Sequence, residues 1–140
     1  MLKEILLCCM VFLFTIGLYA QEDVKRTDMA RVAADQLTDK YELDRTQSAE
    51  MLKIQTRKLK NESEFASLKE TDLSKYLKKV EALETGTNFS IRKMMTQEQR
   101  AKFDKAKHEL RTKRAQLANQ MHKEGKLPVE IKQATLEIKE

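Results

Sequence analysis

The 140-residue chain has no tryptophan, one proline, three glycines and only two cysteines. So little proline and glycine excludes an all-β sandwich, which needs many turns, and equally a collagen-like or linker-rich chain. The two cysteines, Cys8 and Cys9, both lie in an apolar run near the start. A chain of this length makes one small domain, not two. What remains is charge: 35% of residues are Asp, Glu, Lys or Arg, against 41% hydrophobic. That balance suits an exposed, helix-rich protein with a thin core rather than an enzyme with a deep pocket.

The opening residues have the form of an export signal. Lys3 precedes an apolar run from Ile5 to Gly17, and Leu18-Tyr19-Ala20 places a small residue where a signal peptidase cuts. The run is shorter than the roughly 20 residues that span a bilayer. Residues 1–20 are therefore read as a signal peptide cleaved after Ala20, 21–128 as a helical domain and 129–140 as a flexible or weakly structured tail. Neither cysteine sits in a lipobox. The expected location is the periplasm or the exterior, with no stable membrane span after cleavage. The mature chain keeps the net charge of +5, because Lys3 and Glu4 leave together. It has no cysteine and five aromatic residues: Tyr41, Phe65, Tyr76, Phe89 and Phe103. Without disulfides, so thin a core needs a partner chain.

Apolar residues recur at helical spacing along this domain. A first helix carries Met29, Val32/Ala33, Leu37 and Tyr41. A second starts at Asp44 with Met51, Ile54, Leu59, Phe65 and Leu68, and is weakest over Lys60–Glu64. A third, capped by Thr71 or Asp72, carries Leu73, Tyr76/Leu77, Val80 and Leu83 and ends near Gly86. Asn88–Met95 then reads as a connector whose Phe89, Ile91 and Met94 dock on the core. A long helix runs from Thr96 through Phe103, Ala106, Leu110, Leu117 and Met121 to Gly125. The expected fold is all-α: four or so amphipathic helices in a thin, open bundle with an irregular C-terminal tail.

Two helix starts repeat one another. Leu43-Asp44-Arg45-Thr46-Gln47 and Met95-Thr96-Gln97-Glu98-Gln99 share an apolar residue, a capping Asp or Thr, and a Gln three residues on. Ala49 and Met51 then align with Ala101 and Phe103. In each, the Asp or Thr side chain accepts the N3 backbone N–H and the Gln reaches back to the cap's own N–H, which is a capping box. Leu43 or Met95 packs on the first turns. The pattern resembles the LTxxQ motif of the Spy/CpxP family of periplasmic proteins, over roughly Leu37 to Met121. Met95 stands in place of Leu and Asp44 in place of Thr, and both leave the capping role intact. The resemblance implies a small all-helical protein forming an antiparallel, cradle-like dimer. It also implies a role in binding unfolded clients, in sensing envelope stress or, in some branches, in binding metal. The motif residues Leu43, Asp44, Gln47, Met95, Thr96 and Gln99 carry over as structural.

Other chemistry finds little support. His108 and His122 are fourteen residues apart, about 21 Å along one helix, so they cannot share an ion within one chain. No cofactor or metal is expected. No nucleophile–base spacing, phosphate loop or zinc signature points to an enzyme. Arg57, Lys58, Lys60, Lys75, Lys78 and Lys79 alternate with acids and lack stacking aromatics, so no nucleic-acid partner is expected. The remaining candidate is a mixed basic and apolar surface for unfolded or stress-exposed proteins, formed by Tyr76, Lys79, Arg92, Lys93, Met94, Arg100 and Phe103. A homodimer is expected, with Met51, Ile54, Leu59, Phe65, Leu110 and Leu117 supplying interior and dimer contacts. The expected role is an ATP-independent holdase. The alternatives are a stress-signalling adaptor or metal-responsive sensor on the same fold, and a structural helical module of the envelope.

Overall fold

In the computed structural model the described residues are 24–139, and they form six helices and no strand. The expected signal segment and its cleavage point lie outside them. The helices are α1 (24–41), α2 (Arg45–Glu64), the single turn α3 (Leu68–Thr71), α4 (Leu73–Met94), α5 (Gln97–Lys123) and α6 (Pro128–Glu137). The chain is all-α. Helix α2 packs on α4, α5 on α6, and α4 also touches α3 and α6.

Helix ends follow their local chemistry. Helix α1 closes with Leu43 N–H donating to the Thr38 carbonyl and Glu42 N–H to the Asp39 carbonyl. Glu42 takes φ +52°, the left-handed position of a Schellman turn that glycine usually fills. Gly125, at φ +74°, does the same after α5, with Lys126 N–H donating to the Met121 carbonyl. Asp72 caps α4 by accepting from Lys75 N–H at 3.0 Å. Helix α2 ends at Glu64, inside the weak Lys60–Glu64 stretch.

Three expectations need correction. Helix α4 does not end near Gly86 but runs through it to Met94, so Asn88–Met95 is no connector. An isolated glycine costs only about 1 kcal/mol relative to alanine, and neither a proline nor a left-handed residue stops the helix there. On the continuous helix Ile91 turns inward, while Phe89, 200° away around the axis, points to solvent at 70% exposure. The tail is not irregular: it forms α6, with Pro128 in its first turn and the Glu130 carboxylate accepting Leu127 N–H at 2.8 Å. Leu136 anchors this helix in the interior. Finally, the α1 stripe divides. Ala30, Ala34 and Tyr41 are buried, but Met29 and Val32 stay in water.

The core gathers where the helix pairs turn. It comprises Ala34, Tyr41, Leu43, Met51, Ile54, Ile91, Met95 and Phe103, with Leu37, Leu52 and Met94 packed against it. Tyr41 and Phe103 meet edge to face at 5.5 Å. Each such side chain, fully buried, contributes about 1.5–3 kcal/mol. Met51, Ile54 and Leu110 are thus buried within one chain, and Leu59, Phe65 and Leu117 are half-buried.

Candidate functional site

Both capping boxes form, and they meet. Asp44 accepts from Gln47 N–H at 2.9 Å while Gln47 Oε1 accepts from Asp44 N–H at 3.0 Å. Thr96 and Gln99 repeat this at 3.3 and 2.9 Å. The two glutamine amides then pair with each other across 52 residues: Gln47 Nε2 donates to Gln99 Oε1 at 2.8 Å, and Gln99 Nε2 to Gln47 Oε1 at 3.0 Å. Each second amide proton crosses to the other corner. Gln47 donates to the Met94 carbonyl at 3.0 Å and Gln99 to the Glu42 carbonyl at 3.1 Å. Met94 and Glu42 each stand two residues before a cap. The clasp therefore has an internal two-fold pattern, and each amide uses all four of its hydrogen-bonding positions. Leu43 and Met95 lie buried beneath it.

No family model, curated protein or solved structure matches the chain.

The residues expected to form one client-binding cluster occupy three separate places. Phe103 is 2% exposed and belongs to the core, so it offers almost nothing to an outer, client-facing surface. Its place on the inward face of α5, against Tyr41, is the reason. Tyr76 lies half-buried beside Phe65, with ring centres 5.8 Å apart, and Lys79 stands over the Phe65 ring at 5.6 Å. Burial, and then the Glu62 carboxylate, push the Tyr76 hydroxyl above its ordinary pKa. Arg92, Lys93, Met94 and Arg100 sit at the α4–α5 corner. There Arg100 Nε donates to the Arg92 carbonyl at 3.0 Å, closing the C-terminal end of α4. Arg92 holds Asp104 in a fork, Nε to Oδ1 at 2.9 Å and Nη2 to Oδ2 at 3.0 Å. This hydrogen-bonded pairing holds the Asp104 carboxyl below its ordinary range. Lys93 is exposed, and Met94 leans on the core.

Two features escaped sequence reasoning. One is the outer face of α1, where Val24, Met29, Val32 and Ala33 form an apolar surface edged by Lys25, Asp28 and Gln36. The other is a groove of about 490 Å³ among α1, α2, α4 and α5. Leu37, Val80, Leu83, Ile91, Phe103 and Leu110 line it with apolar surface; Lys40, Lys58, Lys107, Arg114 and Lys139 line it with positive charge. Its carboxylates are Glu62 and Glu84. Glu84 accepts from Arg114 Nη1 at 3.0 Å, and Arg114 Nη2 donates to the Ile138 carbonyl at 3.0 Å. The third nitrogen, Arg114 Nε, is buried with no hydrogen-bond partner. Such an orphan costs about 1–3 kcal/mol. Gln55, 4% exposed, also lines the groove, and its Nε2 donates to Met51 Sδ at 3.6 Å, a weak acceptor.

Among the described residues no three His, Cys, Asp or Glu side chains gather as metal ligands would, and no helix is long and apolar enough to cross a membrane. His108 and His122 both lie on the solvent side of α5.

Proposed function

We propose that the protein is an exported, ATP-independent binding protein of the Spy/CpxP type that holds unfolded or stress-exposed polypeptides and works as a homodimer. The observation that carries this reading is apolar surface left in water. Met29 and Val32 on α1 and Phe89 on α4 are more than half exposed, although a small chain has few large apolar residues to spare. Lysines and arginines border these residues, and the net charge of +5 draws acidic segments from a distance before apolar contact forms. The clasp made by two matching boxes supports the family likeness, since it gives the repeated motif a structural task. The half-buried Leu59, Phe65 and Leu117 suit a dimer contact.

An aggregation assay tests this reading. The mature chain suppresses light scattering from a heat-unfolded test protein at near-equimolar ratio with no nucleotide present. Triple substitution Met29→Ser, Val32→Ser and Phe89→Ser removes most of that suppression without loss of helix content. Absence of suppression at several-fold excess refutes the reading. Sedimentation at micromolar concentration tests the dimer.

A further inference from the structure

We propose that α6 is a detachable strap, and that the cleft it fills between α4 and α5 is a second client site. When α6 leaves, the cleft takes an apolar, helix-forming segment of the client in its place. This site rests on the holding role proposed above and gives that role a control built into the chain.

Helix α6 packs against α5 and against α4, while these two long helices make no comparable contact with each other. A cavity of about 410 Å³ lies beside Leu136, and the groove of about 490 Å³ lies beside Lys139. Glu84, Asn88, Phe103, Lys107, Leu110 and Arg114 line both. The two are therefore ends of one cleft, crossed by the last turn of α6 and the residues after it.

The strap is lightly fastened. Its ten residues are too few to keep a helix in water unaided, so α6 persists only while docked. Leu136 is its buried side chain. Lys132 Nζ meets Glu81 Oε2 at 2.6 Å in a partly exposed pair, and the Ile138 carbonyl accepts from Arg114 Nη2 at 3.0 Å. Ion pairs open to water hold little. Helix α5 has already closed at Gly125, and Lys126 and Leu127 stay in solvent, so α6 leaves without unwinding α5. Segments held in this way open before the rest of a fold.

What fits the cleft is read from α6 itself. Val129 and Leu136, seven residues apart on one face, turn toward the protein, a lysine between them reaches Glu81, and a backbone carbonyl reaches Arg114. A client segment with apolar residues at that spacing and one lysine or arginine between them meets the same groups.

The test clamps α6 and frees it, in the full chain with Cys8→Ser and Cys9→Ser. Lys132→Cys and Glu81→Cys are joined by a short thiol cross-linker that contains a reducible bond. The clamped protein loses aggregation suppression by roughly threefold or more and regains it on reduction. Leu136→Ser frees α6: hydrogen exchange rises over Pro128–Glu137 and not over α2. A labelled peptide of residues 127–139 binds this variant roughly fivefold or more tightly than the unsubstituted protein, and the clamped form refuses it. The peptide measurement needs no client, so the two readings fail separately. Suppression that clamping leaves unchanged overturns the strap while the holding role stands. Absence of suppression in every form refutes the holding role and the client site with it. Peptide binding that is equal in all forms, or absent from Leu136→Ser despite faster exchange, overturns the strap. So does a cross-link that joins two chains, which makes α6 of a second copy the occupant.

Discussion

The corner at Gln47 and Gln99 and the groove at Arg114 use the same materials to opposite ends. Both bring polar side chains from distant helices into a poorly hydrated place. At the corner two amides use every donor and acceptor they have, on each other and on four backbone groups. In the groove a guanidinium is held at two of its nitrogens and left unmatched at the third. A satisfied network specifies one packing and contributes stability; an unsatisfied buried donor subtracts from it. The contrast sets a corner whose polar groups are all matched against a groove that keeps one buried donor unmatched.

The largest test of that division is Phe103, whose ring belongs to the core and also lines the groove. Phe103→Ala lowers stability by about 3–5 kcal/mol, the cost of emptying a buried aromatic site. Phe89→Ala, on a side chain 70% exposed, changes stability by no more than about 0.5 kcal/mol. Thermal melts followed by circular dichroism decide it. Equal losses in the two variants would dissolve the distinction between core and surface.

The clasp comes next. Gln47→Ala leaves Asp44 N–H, the Met94 carbonyl and half of the Gln99 amide without partners in a site 9% exposed, and costs about 2–4 kcal/mol. Gln99→Ala, at a more exposed position, costs about 1–3 kcal/mol. Thr96→Ala loses one cap bond, about 1 kcal/mol. A capping box considered alone ranks Thr96 above Gln99, because the glutamine then makes only its return bond; pairing across the two boxes reverses that order. The double variant Gln47→Ala/Gln99→Ala falls short of the sum of its parts, because the two residues share bonds. Strict additivity in denaturant melts would mean the amides do not act together.

How much of this was legible in the sequence depended on range. Asp44, Thr96, Asp72 and Gly125 are local signals, and each ended or began a helix where its chemistry placed it. Met51, Ile54, Phe103 and Leu110 followed from helical period alone. The left-handed turn at Glu42 carried no such signal, because the residue there is not glycine. Helix α6 was obscured by the alternation of Val129, Glu130, Ile131 and Lys132, which suits a strand as well as a helix. The pairing of Gln47 with Gln99 lies beyond any local pattern, because it joins residues 52 apart. The groove was invisible for the same reason. Arg114, Lys58 and Lys139 are neighbours only after α2, α5 and the chain's end have packed.

A gain in stability is expected at Gly86. The glycine sits inside α4 and a Cβ there would meet nothing within 4 Å. Gly86→Ala therefore stabilises by about 0.5–1 kcal/mol, chiefly by reducing the freedom of the unfolded chain. A loss of stability would show that α4 needs its flexibility at that turn.

The smallest effect concerns the ion pairs that brace the two corners from outside. Lys102 Nζ meets Glu42 Oε1 at 2.7 Å, and Arg92 forks Asp104. In each case the hydrogen bond from the cation is the first cause holding the carboxyl below its ordinary pKa. A folded-state pKa lowered in this way means that the unfolded chain takes up protons first as the pH falls. The stabilisation is therefore complete above the ordinary carboxylate range, near pH 4, and disappears as the pH drops through the lower folded-state values. Both pairs are exposed to water, so the contribution is slight and salt screens it. Melts of the protein beside Glu42→Gln and Asp104→Asn, taken from pH 7 down to pH 2, should show a small difference that closes toward the acid end. At neutral pH it should narrow in 1 M salt. A difference that stays constant with pH would place the effect of these carboxylates in packing rather than in charge, and would leave the clasp of Gln47 and Gln99 to hold the corners without outside bracing.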